Sequence, residues 1–231
     1  MRVRSEERGP GASAYALEKL PSGRTPWRAA RYCAVDLELT GLDPGKDKIV
    51  SFGAVPIEDG RARPGEAVEG RVRLERPMDE ASIKVHGLRA VDLEYAPRLE
   101  AAIDPLLGAL AGAIPVVHFA EVERRFLGRA LRRQGLRLHP QMIDTTVLGA
   151  IWLHDRDGIR AQRIMLGALA EALNVPAHQP HDALGDALTT AEIFIVLATH
   201  LDAMHRESVK SLTSAELRLD AMGMYPAHID S

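Results

Sequence analysis

Tyr32-Cys-Ala-Val-Asp36-Leu-Glu38-Leu-Thr40-Gly41-Leu42 is a short apolar run that ends in two acids set two residues apart. Its length and β-forming residues, closed by a glycine, predict a strand over Tyr32–Glu38. Strand side chains alternate with period two, so Asp36 and Glu38 leave on one face. Carboxylates are costly to bury there unless paired or metal-bound, and hard cations such as Mg²⁺ and Mn²⁺ take such oxygen ligands. Taken alone, the pair also reads as an ordinary solvated strand end.

Two further strands follow from the same period: Lys48–Ile57, then Val68, Val72 and Leu74. Turn sequences at Asp43-Pro44-Gly45 and Glu58-Asp59-Gly60 make the start of the sheet antiparallel. From Arg98 the texture changes, with Leu99, Ile103, Leu106, Leu107 and Leu110 at helical spacing. Short strands are expected at Ile114–His118 and Gln141–Asp144. Helices are expected at Ala120–Gln134, Thr145–His154, Ile164–Leu173, Ala183–Leu201 and Thr213–Met222. Three strands followed by α/β alternation predict an α/β fold: a mixed five-stranded sheet, three antiparallel strands and then parallel additions, flanked by helices.

Residues 1–30 hold Gly9, Pro10, Gly11, Pro21, Gly23 and Pro26 without a sustained apolar period. They read as a loose basic N-terminal arm with a short helix near Tyr15–Leu20. The main domain is expected over 31–205, and a C-terminal helix and tail over 206–231.

Composition narrows the function classes. The chain has 231 residues, enough for one well-cored domain. Twenty-nine basic residues against 32 acidic give a net charge of −3, which excludes a generically cationic nucleic-acid coat. Ten aromatic residues leave few stacking platforms, so any nucleic-acid contact must be local. The lone Cys33 excludes a disulfide scaffold and reads as a small buried hydrophobe. No stretch qualifies as a membrane span: the best apolar run, Ala183–Leu201, carries Asp186, Glu192 and His200. The N-terminus lacks the apolar core of a signal peptide, and a reducing cytoplasm is the expected compartment. Residues 1–31 carry a net charge of +4 and the remainder −7. A second basic cluster, Arg124, Arg125, Arg129, Arg132, Arg133 and Arg137, reads either as a solvated helix face or as a phosphate contact.

A second chemical element is His181 with Asp186 at the start of the helix Ala183–Leu201. Asp186 lies one turn inside an otherwise apolar face, and His181 lies just ahead, where a loop can present a general base. Asp182 fits as the helix cap. His118 fits a hydrogen-bonded sheet end, and the His178-x-x-His181 pair lies on a proline-containing loop unsuited to zinc.

In order along the chain, these pieces resemble the DnaQ-like (DEDDh) 3′→5′ exonucleases, in the branch of the DNA polymerase III epsilon subunit. Asp36-Leu-Glu38-Leu-Thr40-Gly41-Leu42 resembles their first motif, and Ile83-Lys-Val-His86-Gly87-Leu88 the segment before the second. Val116-Val-His118-Phe119-Ala-Glu121-Val-Glu123 resembles the second motif itself. Ile143-Asp144-Thr145 and His181-Asp-Ala-Leu-Gly-Asp186 match the remaining landmarks. The resemblance covers roughly residues 31–200. It departs from the family at Phe119, where asparagine is usual, at Glu123, where aspartate is usual, and at Leu37 and Leu39, where small polar residues are common in the proofreading branch.

The resemblance implies an RNase H-like fold and a two-metal hydrolysis of single-stranded nucleic acid from the 3′ end, DNA ahead of short RNA, releasing nucleoside 5′-monophosphates. Asp36, Glu38, Glu123 and Asp186 would hold two Mg²⁺ or Mn²⁺ ions, with His181 taking the proton from the attacking water. Leu37, Thr40, Gly41, Leu42, His86 and Phe119 would contact the substrate. The tail shows no clamp-binding sequence, no membrane partner is implied, and a homodimer is left open. Phe119 and Glu123 motivate a second reading: a pseudo-exonuclease that binds nucleic acid or protein without cleaving.

Overall fold

The computed structural model describes residues 8–75, 80–161 and 164–224. Helix α1 (Pro10–Leu17) and a 3₁₀ turn at Trp27–Ala29 precede strands β1 (Tyr32–Leu39), β2 (Ile49–Glu58), β3 (Arg61–Ala62) and β4 (Val68–Arg71). Four short helices follow: α2 (Glu80–His86), α3 (Ala90–Leu93), α4 (Leu99–Ala102) and α5 (Asp104–Leu110). Then come β5 (Ile114–Val117), α6 (Ala120–Arg133), β6 (Ile143–Asp144), α7 (Thr145–Asp157), α8 (Leu166–Leu173) and α9 (Ala183–Met204). Helices α10 (Val209–Thr213) and α11 (Ala215–Ala221) close the described chain.

The sheet runs β3-β2-β1-β5-β6, with β4 also on β2. β2 is antiparallel to β1, β3 and β4, whereas β5 is parallel to β1 and β6 is parallel to β5. β3 and β4 share the outer edge of β2, at Ile57–Glu58 and Ser51–Ala54 respectively. The sheet is therefore five strands wide, as expected, and the two-residue β3 is an addition along one edge.

Period-two burial divides the core into two layers. Tyr32 and Ala34 of β1 face the layer built with α7, α8 and α9, where Trp27, Trp152, Phe194 and Leu197 are buried. Cys33, Val35 and Leu37 face the layer of α1, α5 and α6, with Tyr15, Leu106, Phe126 and Leu127. Burial pushes the Cys33 thiol up to about 12, so it is an inert apolar side chain. Helix α9 has the length and hydropathy of a membrane-crossing helix, yet half of its most apolar window is buried inside the protein.

Residues 10–30 differ from the loose arm expected. Ala12, Tyr15 and Trp27 are fully buried, and α1 lies on α5. The Asp104 carboxylate accepts from the backbone N–H groups of Gly11 and Ala12 at 3.0 and 2.9 Å, satisfying donors that a helix start leaves open. Contact is made through small residues, so the segment has no apolar period to read: the Gly108 and Gly11 backbones meet directly. The helix lies at Pro10–Leu17 rather than Tyr15–Leu20. The leucine-rich stretch after Arg98 is split at Ile103 because Pro105 starts a new helix, and the C-terminal helix begins earlier and breaks at Ser214.

A Cβ on Gly11 would lie 1.9 Å from the Asp104 carbonyl oxygen, whereas one on Gly65 meets nothing. Gly11→Ala should therefore cost about 2 kcal/mol or more, the range of backbone-displacing overpacking. Gly65→Ala should be within about 0.5 kcal/mol of the parent. Urea midpoints at equal slope test the pair, and equal midpoints would contradict the packed N-terminus.

Candidate active site

Asp36 and Glu38 leave the last turn of pleat in β1 on the face that carries Tyr32 and Ala34, toward α9. A register shift between Glu38 and Leu39 ends the regular pairing with β2 immediately after them. Directly opposite Asp36 on β2 is Gly53. A Cβ at Gly53 would lie 2.3 Å from the Ala183 carbonyl oxygen and 2.4 Å from Leu184 Cα. The bare glycine thus lets the first turn of α9 settle on the sheet, and that turn carries Asp186.

The result is a group of three carboxylates, Asp36, Glu38 and Asp186, whose ligand atoms lie within 4.8 Å of one another. Glu123, in the first turn of α6, stands outside that group but beside Asp36. Its Oε2 is buried without a hydrogen-bond partner, while the Leu37 backbone binds the carboxylate. Burial, then Asp36, raises the Glu123 carboxyl well above the usual range. Burial, then Asp186, Glu38 and Asp182, does the same to Asp36. Glu38 is pushed up to about 7 by burial and by Asp186 and Asp182. Asp186 is raised by burial, against the backbone N–H of His181, which donates to its Oδ2 at 3.0 Å. No Lys or Arg acts on any of these four carboxyl groups. His181 opposes the shift at Asp186 alone, and an all-oxygen donor set that is buried, mutually repelling and, among the described residues, without a lysine or arginine partner fits a hard divalent cation.

The surrounding residues divide into scaffold and surface. His181 has a left-handed backbone (φ 66°) and is exposed next to Asp186. Asp182 caps α9 through Gly185 N–H at 3.0 Å. Asp144 accepts from Phe119 and Ala120 N–H at 3.3 and 2.8 Å and from Thr146 N–H at 2.8 Å. It therefore fastens the starts of both α6 and α7. His118 has both ring nitrogens engaged, with Thr145 Oγ1 at 2.8 Å and the Ile164 carbonyl at 2.9 Å. His178 pairs with Glu192 at 3.1 Å.

Of the residues expected at the substrate, Leu37 has its side chain in the core, so only its backbone reaches the site. The Thr40 hydroxyl is taken by Asp47 at 3.0 Å and by Lys48 N–H at 3.1 Å. Gly41 lies against the Asp47 carboxylate, where a Cβ would come within 2.5 Å. Leu42 is 71% exposed at the tip of that loop, and Phe119 packs edge-on against His118 at 4.7 Å. His86 lies with Ser51, Phe52, Arg71, His181 and Asp182 around a cavity of ≈ 260 Å³. Its Nδ1 accepts from Leu88 N–H, so the neutral ring carries its proton on Nε2, which is buried without a partner. Sequence reasoning missed two organising residues, Gly53 and Asp47. A glycine inside a strand pattern was the available signal for Gly53.

Comparison with known proteins bears on the family and the fold. The family model described as Exonuclease, RNase_T, matches residues 33–194. A DNA polymerase III subunit epsilon-like protein of Rhodobacter capsulatus is 33% identical over 182 residues, which make up 78% of this chain and 25% of that protein. The chain thus spans a quarter or less of the curated relatives it matches first. Exonuclease X, solved in complex with 5′ overhanging duplex DNA, superposes with a TM-score of 0.59 at 22% identity, covering 79% of this chain and 99% of that one. The nuclease domain of 3′hExo, a DEDDh family member bound to rAMP, gives 0.60 at 15% identity over 77% of this chain and 94% of that one. The fold is that of the RNase H-like DEDDh exonucleases.

With carboxyl pKa values raised on folding, the metal-free native state holds more protons than the unfolded chain above about pH 4. This contribution to stability is present in acid and is lost as pH rises through about 7, where Glu38 titrates. Metal binding displaces those protons, so its stabilisation grows with pH. The rise in Tm on adding Mg²⁺ or Mn²⁺ should be larger at pH 8 than at pH 5.5 and should shrink in Glu38→Gln. A metal shift independent of pH would contradict the cluster. Gly53→Ala should lift the start of α9 from Asp36, at a cost of about 1–3 kcal/mol. It should also abolish most of the metal-induced Tm rise; a fully retained rise would separate Gly53 from the site.

Proposed function

The chain belongs to the RNase_T family of exonucleases, and on that premise we propose that it is a metal-dependent 3′→5′ exonuclease. Its substrate on this reading is the 3′ end of single-stranded nucleic acid, DNA ahead of short RNA, and its product a nucleoside 5′-monophosphate. The observation that carries the reading is the carboxylate group Asp36, Glu38 and Asp186, with the unpartnered Glu123 Oε2 beside it and, among the described residues, no lysine or arginine to neutralise it. Such a group is tolerable in a folded protein as a cation site, and phosphodiester hydrolysis is the chemistry the family performs there.

Asp36, Glu38 and Asp186 would hold the divalent ions, two in number and either Mg²⁺ or Mn²⁺, with Glu123 completing the set from α6. The ions supply Lewis acidity: a lower pKa for the attacking water and neutralisation of charge on the leaving 3′-oxygen. His181, exposed at the rim and joined to Asp186 through its own N–H, is placed to take the proton from that water. The backbone hydrogen bond makes base and ligand one unit, so His181 keeps its place relative to the carboxylates. The ≈ 260 Å³ cavity between His86 and His181 fits the terminal nucleoside, with the His86 ring in its wall. Thr40 and Gly41 shape the loop wall through Asp47, leaving Leu42 as the exposed apolar contact.

The second reading, a binding module that no longer cleaves, rests on Phe119 and Glu123. Glu123 nevertheless keeps a carboxylate beside Asp36, which supports catalysis over its loss.

Degradation of a 5′-labelled single-stranded DNA and a matched RNA, with Mg²⁺, Mn²⁺ or chelator, tests the proposal. The expected result is a metal-dependent ladder shortening from the 3′ end, abolished by chelation and reduced at least about 100-fold in Asp36→Asn. That variant removes one of the repelling charges, so its metal-free Tm should equal or exceed that of the parent. No cleavage of either strand by folded protein would overturn the catalytic reading in favour of the binding module.

A further inference from the structure

The four carboxylates that make the site also repel the polyanion it is meant to cut, so a substrate strand needs compensating charge close by. We propose that the arginine stripe of α6, the exposed Arg125 and Arg132 with the half-buried Arg129 between them, is a track for the phosphates of the substrate strand upstream of its 3′ end. The inference rests on the exonuclease reading above and extends it to the body of the strand.

Arg125, Arg129 and Arg132 stand at i, i+4 and i+7, one face of the helix. Phe126, Leu127, Ala130 and Leu131 occupy the buried side. Glu123 lies on the buried side of the first turn of this same helix, and the stripe starts in the following turn on the solvent side. It also lies along the loop that follows Glu38. Arg129 donates to the Pro44 carbonyl, and Arg125 is among the cations that hold the Asp43 carboxyl below its usual range. From Arg125 to Arg132 the helix rises about 10 Å. At about 3.4 Å per nucleotide in a stacked strand, that length meets about three phosphates.

Arg129 is held by the Pro44 carbonyl, but the charges of Arg125 and Arg132 at the two ends of the stripe are not spent inside the protein. Arg125 has one ion pair among the described residues, with Glu121 at 4.0 Å and both side chains exposed, and Arg132 is exposed without one. The other cations of the helix are committed elsewhere: Arg133 to Glu100 at 2.8 Å and Arg124 to the Pro140 carbonyl at 2.9 Å. Arg132 also suits the negative end of the helix dipole. Arg125, in the second turn, has no such explanation. In a chain of net charge −3 the stripe is a local concentration of positive charge, not a background.

The test compares a 12-nucleotide single strand with a dinucleotide, which does not extend along α6, across 50–200 mM salt. In Arg125→Ala/Arg132→Ala the KM advantage of the 12-mer over the dinucleotide should shrink at least five-fold. The log–log salt slope for the 12-mer should fall by about 1.4, about 0.7 for each arginine removed. Arg133→Ala, whose charge is already paired with Glu100, should keep the wild-type ratio and slope. An unchanged ratio in the double variant, or an equal loss in Arg133→Ala, overturns the track. If wild-type protein cleaves neither substrate, the exonuclease reading fails and this one is decided by fluorescence anisotropy of the labelled 12-mer. A five-fold weaker Kd in the double variant alone supports the track. Loss below two-fold overturns it, and points to an acidic protein surface as the partner of the stripe.

Discussion

Like charges held together out of water set the terms for this molecule. Asp36, Glu38, Asp186 and Glu123 each lose hydration on folding and raise one another's affinity for protons. Among the described residues no lysine or arginine offsets them, and His181 opposes the shift at Asp186 alone. The fold must therefore supply enough rigidity from elsewhere to keep the group assembled. It does so with a continuous apolar layer on each face of the sheet, so that β1 is gripped from both sides just before its two acids. A cation converts the same repulsion into attraction, which makes this group the natural place for one to bind.

Assembly of that spot depends on close backbone approach more than on the acids themselves. Gly53 opposite Asp36 lets α9 touch the sheet, and the turn before α9 doubles back so tightly that a Cβ on Gly185 would lie 2.4 Å from the His178 carbonyl oxygen. The Asp182 cap and the His181 N–H bond to Asp186 then fix the first turn of α9. On the other side Asp144 plays the matching part, joining the starts of α6 and α7 and so fixing the turn that carries Glu123. Two neighbouring aspartates thus act as fasteners, while others, a few residues away, face the site.

This distinction explains what was legible in the sequence. Asp36 and Glu38 could be placed on one face because strand alternation is local, and Asp186 because it interrupts an apolar helix face. The strands β1, β2 and β5 and the helices α6 and α9 were readable for the same reason: their periodicity lies in contiguous residues. The packed N-terminal segment was not, because its contacts are Gly11 on Gly108 and two N–H groups on Asp104, more than 90 residues away in sequence. Thr40 and Leu37 were assigned to the substrate on resemblance. Their side chains instead serve a loop hydrogen bond and the core, as a polar residue at a turn and an inward strand position dictate.

The two departures from the family motif have a joint physical reading. Phe119 sits at the start of α6 in a left-handed backbone conformation (φ 67°, ψ 65°), which asparagine accepts readily and a bulky residue does not. Strain of this kind costs on the order of 1–3 kcal/mol and persists only where neighbours over-determine it. Here the neighbours are identifiable. Asp144 holds the N–H groups of Phe119 and Ala120, and the Phe119 ring stands edge-on to a His118 locked at both nitrogens. The turn is thus dictated by its surroundings rather than by residue 119. Glu123 then extends one methylene further than aspartate would from that same helix position, and arrives beside Asp36 with one oxygen unpartnered. A motif can lose its usual residue types and keep its electrostatics when the backbone that carries it is fastened from outside.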